Sequence, residues 1–137
     1  KLVMSFVASF IIFPSIYIFY HHLVNSYFFV DDLNAFILLI SSIVGVGISI
    51  FMISISKRMN LDDKSIKRFY RFFGIFWIGV LIAILANNMG LYWIGLEFAT
   101  LSTVYMIKVS NSKIADNEAW KYLVVGAIAI SLILFGI

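Results

Sequence analysis

Five long apolar segments, separated by short stretches that hold nearly all the charge, constrain this 137-residue chain more than any other feature. A bilayer span needs about 20 mostly apolar residues at 1.5 Å rise each. Leu2–Tyr20, Leu33–Ser56, Phe72–Ala86, Leu91–Ile107 and Tyr122–Ile137 meet or approach that requirement. Composition agrees, with 63% hydrophobic and 12% charged residues against about 25% charged in a soluble domain. The fold class expected is therefore all-α: a polytopic transmembrane helix bundle of about five spanning helices, forming one transmembrane domain over residues 1–137. With no cysteine, the chain has no disulfide framework, thiolate metal site or iron–sulfur ligand set. No cofactor is expected.

Basic residues set the orientation, because cytoplasmic loops are enriched in Lys and Arg. Lys57, Arg58, Lys64, Lys67, Arg68 and Arg71 follow the second segment, and Lys108, Lys113 and Lys121 follow the fourth. His21–Asp32 and Asn87–Gly90 contain no Lys or Arg. Alternating spans place both basic loops in the cytoplasm, Lys1 falls on the same side, and the net charge of +3 reads as topology rather than nucleic-acid binding. The basic stretch Lys57–Arg71, partly balanced by Asp62 and Asp63, reads as a solvated loop with a lipid or partner contact as the alternative. Asp62 suits a helix N-cap ahead of Lys64–Phe72, so part of it reads as a short interfacial helix. Asp31 and Asp32 open the second helix, where carboxylates complement the positive end of its dipole. His21 and His22 point about 100° apart on a helix and read as interfacial residues rather than a haem or metal pair. Pro14 kinks the first segment, and Gly45 and Gly47 read as packing glycines in the second.

Glu97 stands out. It lies in a segment otherwise built from apolar, aromatic, small and hydroxyl residues. An ionisable side chain at membrane depth is costly unless it meets a partner or a hydrated path, so it marks function. The turn Asn87-Asn88-Met89-Gly90 predicts an antiparallel hairpin of the third and fourth segments. Glu97 then sits about 10 Å along the fourth helix from Gly90. Trp93 and Thr100, at i−4 and i+3, share its face and offer an indole donor and a hydroxyl. Gly95, Ala99 and Thr103 line the opposite face, where small residues admit a neighbouring helix. A desolvated carboxyl takes up a proton more readily than an exposed one, which suits a proton or cation relay. Packing alone is the other reading. Lys108, about 16 Å along the same helix, cannot be its partner, and Lys121 is also remote. No nucleophile–base pair, metal-ligand spacing or phosphate-cradling glycine loop is present, so an independent enzyme is disfavoured.

The run from Asn87 to Ser102, with its Trp93-x3-Glu97-x2-Thr100-Leu101 spacing, together with Asn117-Glu118-Ala119-Trp120-Lys121-Tyr122-Leu123, resembles the antiporter-like membrane subunits. That family is shared by respiratory complex I, multisubunit cation/proton antiporters and membrane-bound hydrogenases, and these residues look most like the F component of hydrogenase-4. Asp32-Leu33-Asn34-Ala35-Phe36 fits the family's early region. The resemblance implies the N-terminal part of a proton-translocating subunit, about helices two to six of some fourteen, in a redox-driven complex. Glu97 would be the protonatable residue, paired with a lysine two helices later that is absent here. Lys121 matches a lysine that opens the sixth helix. Partners would be other membrane subunits of a respiratory or hydrogenase complex, with H⁺ or Na⁺ as the ion, in the cytoplasmic membrane. The chain would be a non-catalytic membrane subunit of an oxidoreductase, with a purely structural scaffold subunit or a cation/proton antiporter subunit as alternatives.

Overall fold

The computed structural model describes residues 26–110 and 112–136. The expectations for Leu2–Tyr20, Pro14 and the His21–His22 pair lie outside the described residues. Among the described residues, four α-helices follow in order: α1, Asp32–Arg58; α2, Asp63–Leu85; α3, Met89–Ile107; and α4, Lys113–Phe135, with a 3-10 turn at Lys108–Ser110 between the last two. Length and composition qualify α1, α2 and α4 to cross a membrane, three of the four segments expected in this part of the chain. The most apolar stretch of the 19-residue α3 is less apolar than those of these three, because Glu97 and its Tyr, Trp, Ser and Thr residues offset the aliphatic ones.

The described residues up to Asn60 form one unit with Ile84–Asn88. Here α1 starts on a side-chain cap: Asp31 Oδ1 accepts the Asn34 N–H at 2.9 Å, and Asn34 Nδ2 donates to the Phe29 carbonyl at 2.8 Å. This satisfies one of the orphan donors at a helix start. Asp31→Ala is expected to cost about 1 kcal/mol, read as faster amide exchange in the first turn of α1. The preceding extended residues close the end of α2. Phe29 N–H donates to the Leu85 carbonyl and Asn87 N–H to the Tyr27 carbonyl, both at 2.9 Å, around a bridge between Phe28 and Ala86. Beyond α1, Asn60 takes the left-handed conformation (φ 47) that asparagine tolerates after a helix.

Along α1 the buried residues are Ala35, Leu38, Ser42, Gly45, Ser49 and Met52, alternating steps of three and four that keep one stripe on one side. Both serines return their hydroxyls to their own helix, Ser42 to Leu38 O at 2.7 Å and Ser49 to Gly45 O at 2.9 Å. Burial therefore leaves neither hydroxyl unpaired. Gly45 is buried as a packing glycine should be, but Gly47 is exposed and a Cβ added there would meet nothing within 4 Å. The expectation for Gly47 is corrected: two residues from Gly45, it falls off the buried stripe.

The second unit holds Leu61–Ala83 and the chain from Met89 onward. Asp62 caps α2 by accepting the Ser65 N–H at 3.1 Å, as the sequence suggests. The helix then runs without a break from Asp63 through the basic stretch into the apolar one. It continues because Ser65, Phe69, Phe73 and Trp77 recur at every fourth position on its buried side, and an aromatic ladder follows that side. Phe69 stacks on Phe73 with ring centroids 5.7 Å apart, and Phe73 meets Trp77 edge-on at 6.2 Å. The Asp62 carboxyl is held below its ordinary 3.8, first by the Ser65 side-chain hydrogen bond and then by the Ser65 backbone N–H. A depressed carboxylate favours the folded state above its ordinary pKa, and that contribution is lost as pH falls through the lowered value. Amides in the first turn of α2 are therefore expected to lose exchange protection only below about pH 4, and Asp62→Asn is expected to remove that pH dependence.

Similarly, α4 begins at Lys113, ahead of the apolar run at Tyr122, because Ser112 caps it by accepting the Ala115 N–H at 3.1 Å. Lys108 pairs with Asp116 at 3.5 Å, tying the end of α3 to the first turn of α4.

Candidate functional site: Glu97 on the third helix

The site is built on the α2–α3 hairpin. Ala86–Asn88 separates the two helices, so α3 starts at Met89 and Gly90 belongs to its first turn rather than to the connection. The helices meet backbone to backbone. A Cβ placed on Gly79 would lie 2.7 Å from Ala99 N and 2.8 Å from Gly95 O, and one on Gly95 would lie 2.5 Å from Ala83 N and 2.8 Å from Gly79 O. Moving up α2 from Gly79 to Ala83 moves down α3 from Ala99 to Gly95, so the pair is antiparallel, as the short connection requires. Gly95 and Ala99 thus play the packing role their spacing predicts. Their partners Gly79 and Ala83 carry the same i, i+4 small-residue signal in the sequence, which could have identified them. Near the other end of the pair, Phe72 stacks on Tyr105 at 4.6 Å.

Glu97 is set about 160° away from both Gly95 and Ala99 around the helix, hence away from α2. The exposed residues of α3 include Ile94, Phe98, Leu101 and Tyr105, a stripe whose nearer members lie about 40° to 60° to one side of Glu97. About 60° to the other side is Thr100, whose methyl group faces α4: a Cβ on Gly126 would lie 2.8 Å from Thr100 Cγ2. Glu97 is half-buried because it stands at this boundary, between the α4 contact and the apolar outer face.

Trp93 and Thr100 flank Glu97, but neither hydroxyl nor indole is bonded to its carboxyl. Thr100 Oγ1 donates to Leu96 O at 2.9 Å, the i−4 carbonyl that helical Ser and Thr commonly choose. Ser102 and Thr103 do the same toward Phe98 O (2.6 Å) and Ala99 O (2.9 Å). Trp93 Nε1 is buried and has no acceptor among the described residues; Trp77 Nε1 on α2 shares that state. A buried donor without a partner is uncommon and costly, and no spacing around Trp77 signals it. Lys121 does not approach Glu97. It is exposed and pairs with Glu118 one turn earlier at 2.7 Å, and the Thr100–Gly126 contact places it about 12 Å away along the helix axes.

Helices of this length and composition, with wide exposed apolar surfaces such as Val125, Leu132 and Phe135 of α4, define a multi-pass helical membrane protein. Its sequence is similar to the hydrogenase-4 component F homolog of Methylacidiphilum infernorum (isolate V4), with 30% identity over 120 residues that cover 82% of this chain. The chain spans 24% of the length of that relative. The match supports the antiporter-like membrane-subunit family, on its hydrogenase-4 component F side, to which the residues around Glu97 point. No family model matches the chain, and no solved structure does.

Proposed function

We propose that this chain is part of a proton-translocating membrane subunit of a redox-driven complex of the hydrogenase-4 or complex I type, with Glu97 as its protonatable relay residue. The observation that carries the reading is a carboxyl half-buried in the middle of an apolar helix, in a chain similar to a hydrogenase-4 component F homolog. In this reading α3 also crosses the bilayer, its 19 residues extending about 28 Å against a hydrocarbon core of about 30 Å. Its Ser and Thr hydroxyls donate to backbone carbonyls rather than to Glu97. The carboxyl is left to follow a cation supplied by another helix. Charge movement between that cation and Glu97 would carry the proton, while electron transfer belongs to partner subunits. The basic connections face the cytoplasm in this reading, and the membrane is the cytoplasmic one.

The scaffold reading has its own support in the Gly79–Gly95 crossing, which lies level with Glu97 on the opposite side of α3 and is built for close packing. The two readings separate on Glu97→Gln in the complex, assayed for proton uptake into inverted membrane vesicles alongside electron transfer. Loss of uptake with an assembled complex supports the relay, and unchanged uptake excludes it.

A further inference from the structure

The N-terminal two turns of α2 carry a line of cations that the relay does not use. Lys64, Lys67 and Arg71 stand at i, i+3 and i+7, with Arg68 beside Lys67, and all four are exposed. Steps of three and four keep them on one side of the helix, while Ser65, Phe69 and Phe73 are buried on the other. The acidic groups nearby are Asp62 and Asp63 at the helix start, and Asp62 is already engaged with Ser65. Four cations therefore face two carboxylates in this stretch, and the excess is positive. The backbone beneath them is held by the stacking of Phe69 on Phe73 and of Phe72 on Tyr105 of α3, so the line is presented on an ordered helix rather than on a loop.

The length of α2 fixes the depth at which this line operates. Its uncharged part, Phe72 to Leu85, extends about 21 Å at 1.5 Å per residue, short of the hydrocarbon thickness of about 30 Å. The whole helix of 23 residues reaches about 34 Å. Spanning the bilayer consequently draws Arg71, Arg68 and Lys67 to the boundary between acyl chains and headgroups, where long basic side chains extend to the phosphates. A short apolar stretch also pulls headgroups inward by local thinning. Arg offers its planar fork to phosphate oxygens and Lys a point charge, and a single-sided line selects lipids that carry net negative charge.

We infer that Lys64, Lys67, Arg68 and Arg71 form a binding site for the phosphate headgroups of anionic phospholipids at the α2 entry to the membrane. The inference depends on α2 being a membrane span and is independent of the Glu97 relay. The test reconstitutes the full-length chain into vesicles of phosphatidylcholine and phosphatidylglycerol, extracts it with mild detergent, and counts the co-purifying lipids by native mass spectrometry. The wild-type protein is expected to retain phosphatidylglycerol in preference to phosphatidylcholine, with the preference falling about tenfold or more in K67Q/R71Q and declining with added salt in the wild type. A K113Q/K121Q protein, with as many charges removed from α4, is expected to keep the preference. Equal retention of the two lipids by the wild type, or an unchanged preference in K67Q/R71Q, would overturn the site. The salt series needs no substitution, so a variant that fails to fold leaves the inference open to refutation: a preference unaffected by salt counts against it.

Discussion

Glu97→Gln is expected to reduce proton movement per electron transferred to below about a tenth of the wild-type value while the complex still assembles. The substitution keeps the length and volume of the side chain while removing its ability to exchange a proton and to carry charge. No hydrogen bond or ion pair to Glu97 exists among the described residues, and Thr100, the nearest hydroxyl along the helix, is already bonded to Leu96 O at 2.9 Å. Replacing the carboxyl by an amide therefore breaks no described contact, and the stability change is expected to stay within about 0.5 kcal/mol, as for substitutions away from buried networks. Glu97→Asp retains the titrating group but withdraws it by one methylene, so intermediate pumping is the expected outcome. The measurement is the quench of a ΔpH-sensitive dye in inverted vesicles, normalised to the electron-transfer rate and to the amount of assembled complex. An assembled Glu97→Gln complex that pumps normally would leave Glu97 as a packing residue.

Local chemistry is the legible part of this chain. Asp31 and Asp62 announce two helix starts because a carboxylate next to an amphipathic run has one favourable use, and both accept the N–H three residues on. Gly95 and Ala99 announce close packing through their spacing alone. The beginnings of α2 and α4 are harder to read, because a run of charge resembles a loop. In Asp63–Arg71 the cations occupy one side and Ser65 and Phe69 the other, so the same residues that look like a loop form a helix with two different faces. At α4, Ser112 and the pairing of Asp116 with Lys108 start the helix well before its apolar part. The surroundings of Glu97 depend on long-range register. Sequence spacing puts Trp93 and Thr100 beside it, but spacing does not reveal that Thr100 bonds its own backbone, or that Gly126 of α4 seats against its methyl group. The hydroxyl outcome was open to prediction, since Ser and Thr inside helices commonly return to the i−4 carbonyl. The α4 register was not, because no residue in the α3–α4 link specifies it.

The glycines of this chain divide sharply in what a methyl group would do to them, and Gly95→Ala is expected to be the most disruptive of the glycine-to-alanine substitutions compared below. Its Cβ would fall 2.5 Å from Ala83 N and 2.9 Å from Ala83 Cα. Those atoms belong to a helix backbone and cannot rotate aside, so α2 and α3 must separate. Separation also lifts Gly79 from Ala99 and forfeits the close van der Waals contact on which helix association in lipid relies. Overpacking of this kind costs about 1–3 kcal/mol, and a bulkier residue such as Leu is expected to prevent the hairpin from closing. Gly79→Ala should behave alike, since its Cβ would meet Ala99 N at 2.7 Å. Gly47→Ala and Gly74→Ala provide the contrast: nothing lies within 4 Å of either Cβ, and removing a helical glycine from open space is expected to be neutral or to stabilise by up to about 1 kcal/mol. Thermal unfolding in detergent, followed by helical circular dichroism for the four variants, distinguishes the classes. If Gly95→Ala and Gly47→Ala melt together, the backbone contact between α2 and α3 does not hold the hairpin. Glu97 lies on the far side of α3 from this crossing, so a lost crossing moves its helix without touching the carboxyl. Gly95→Ala should therefore lower the amount of assembled complex, whereas Glu97→Gln should lower the protons carried by each complex that assembles.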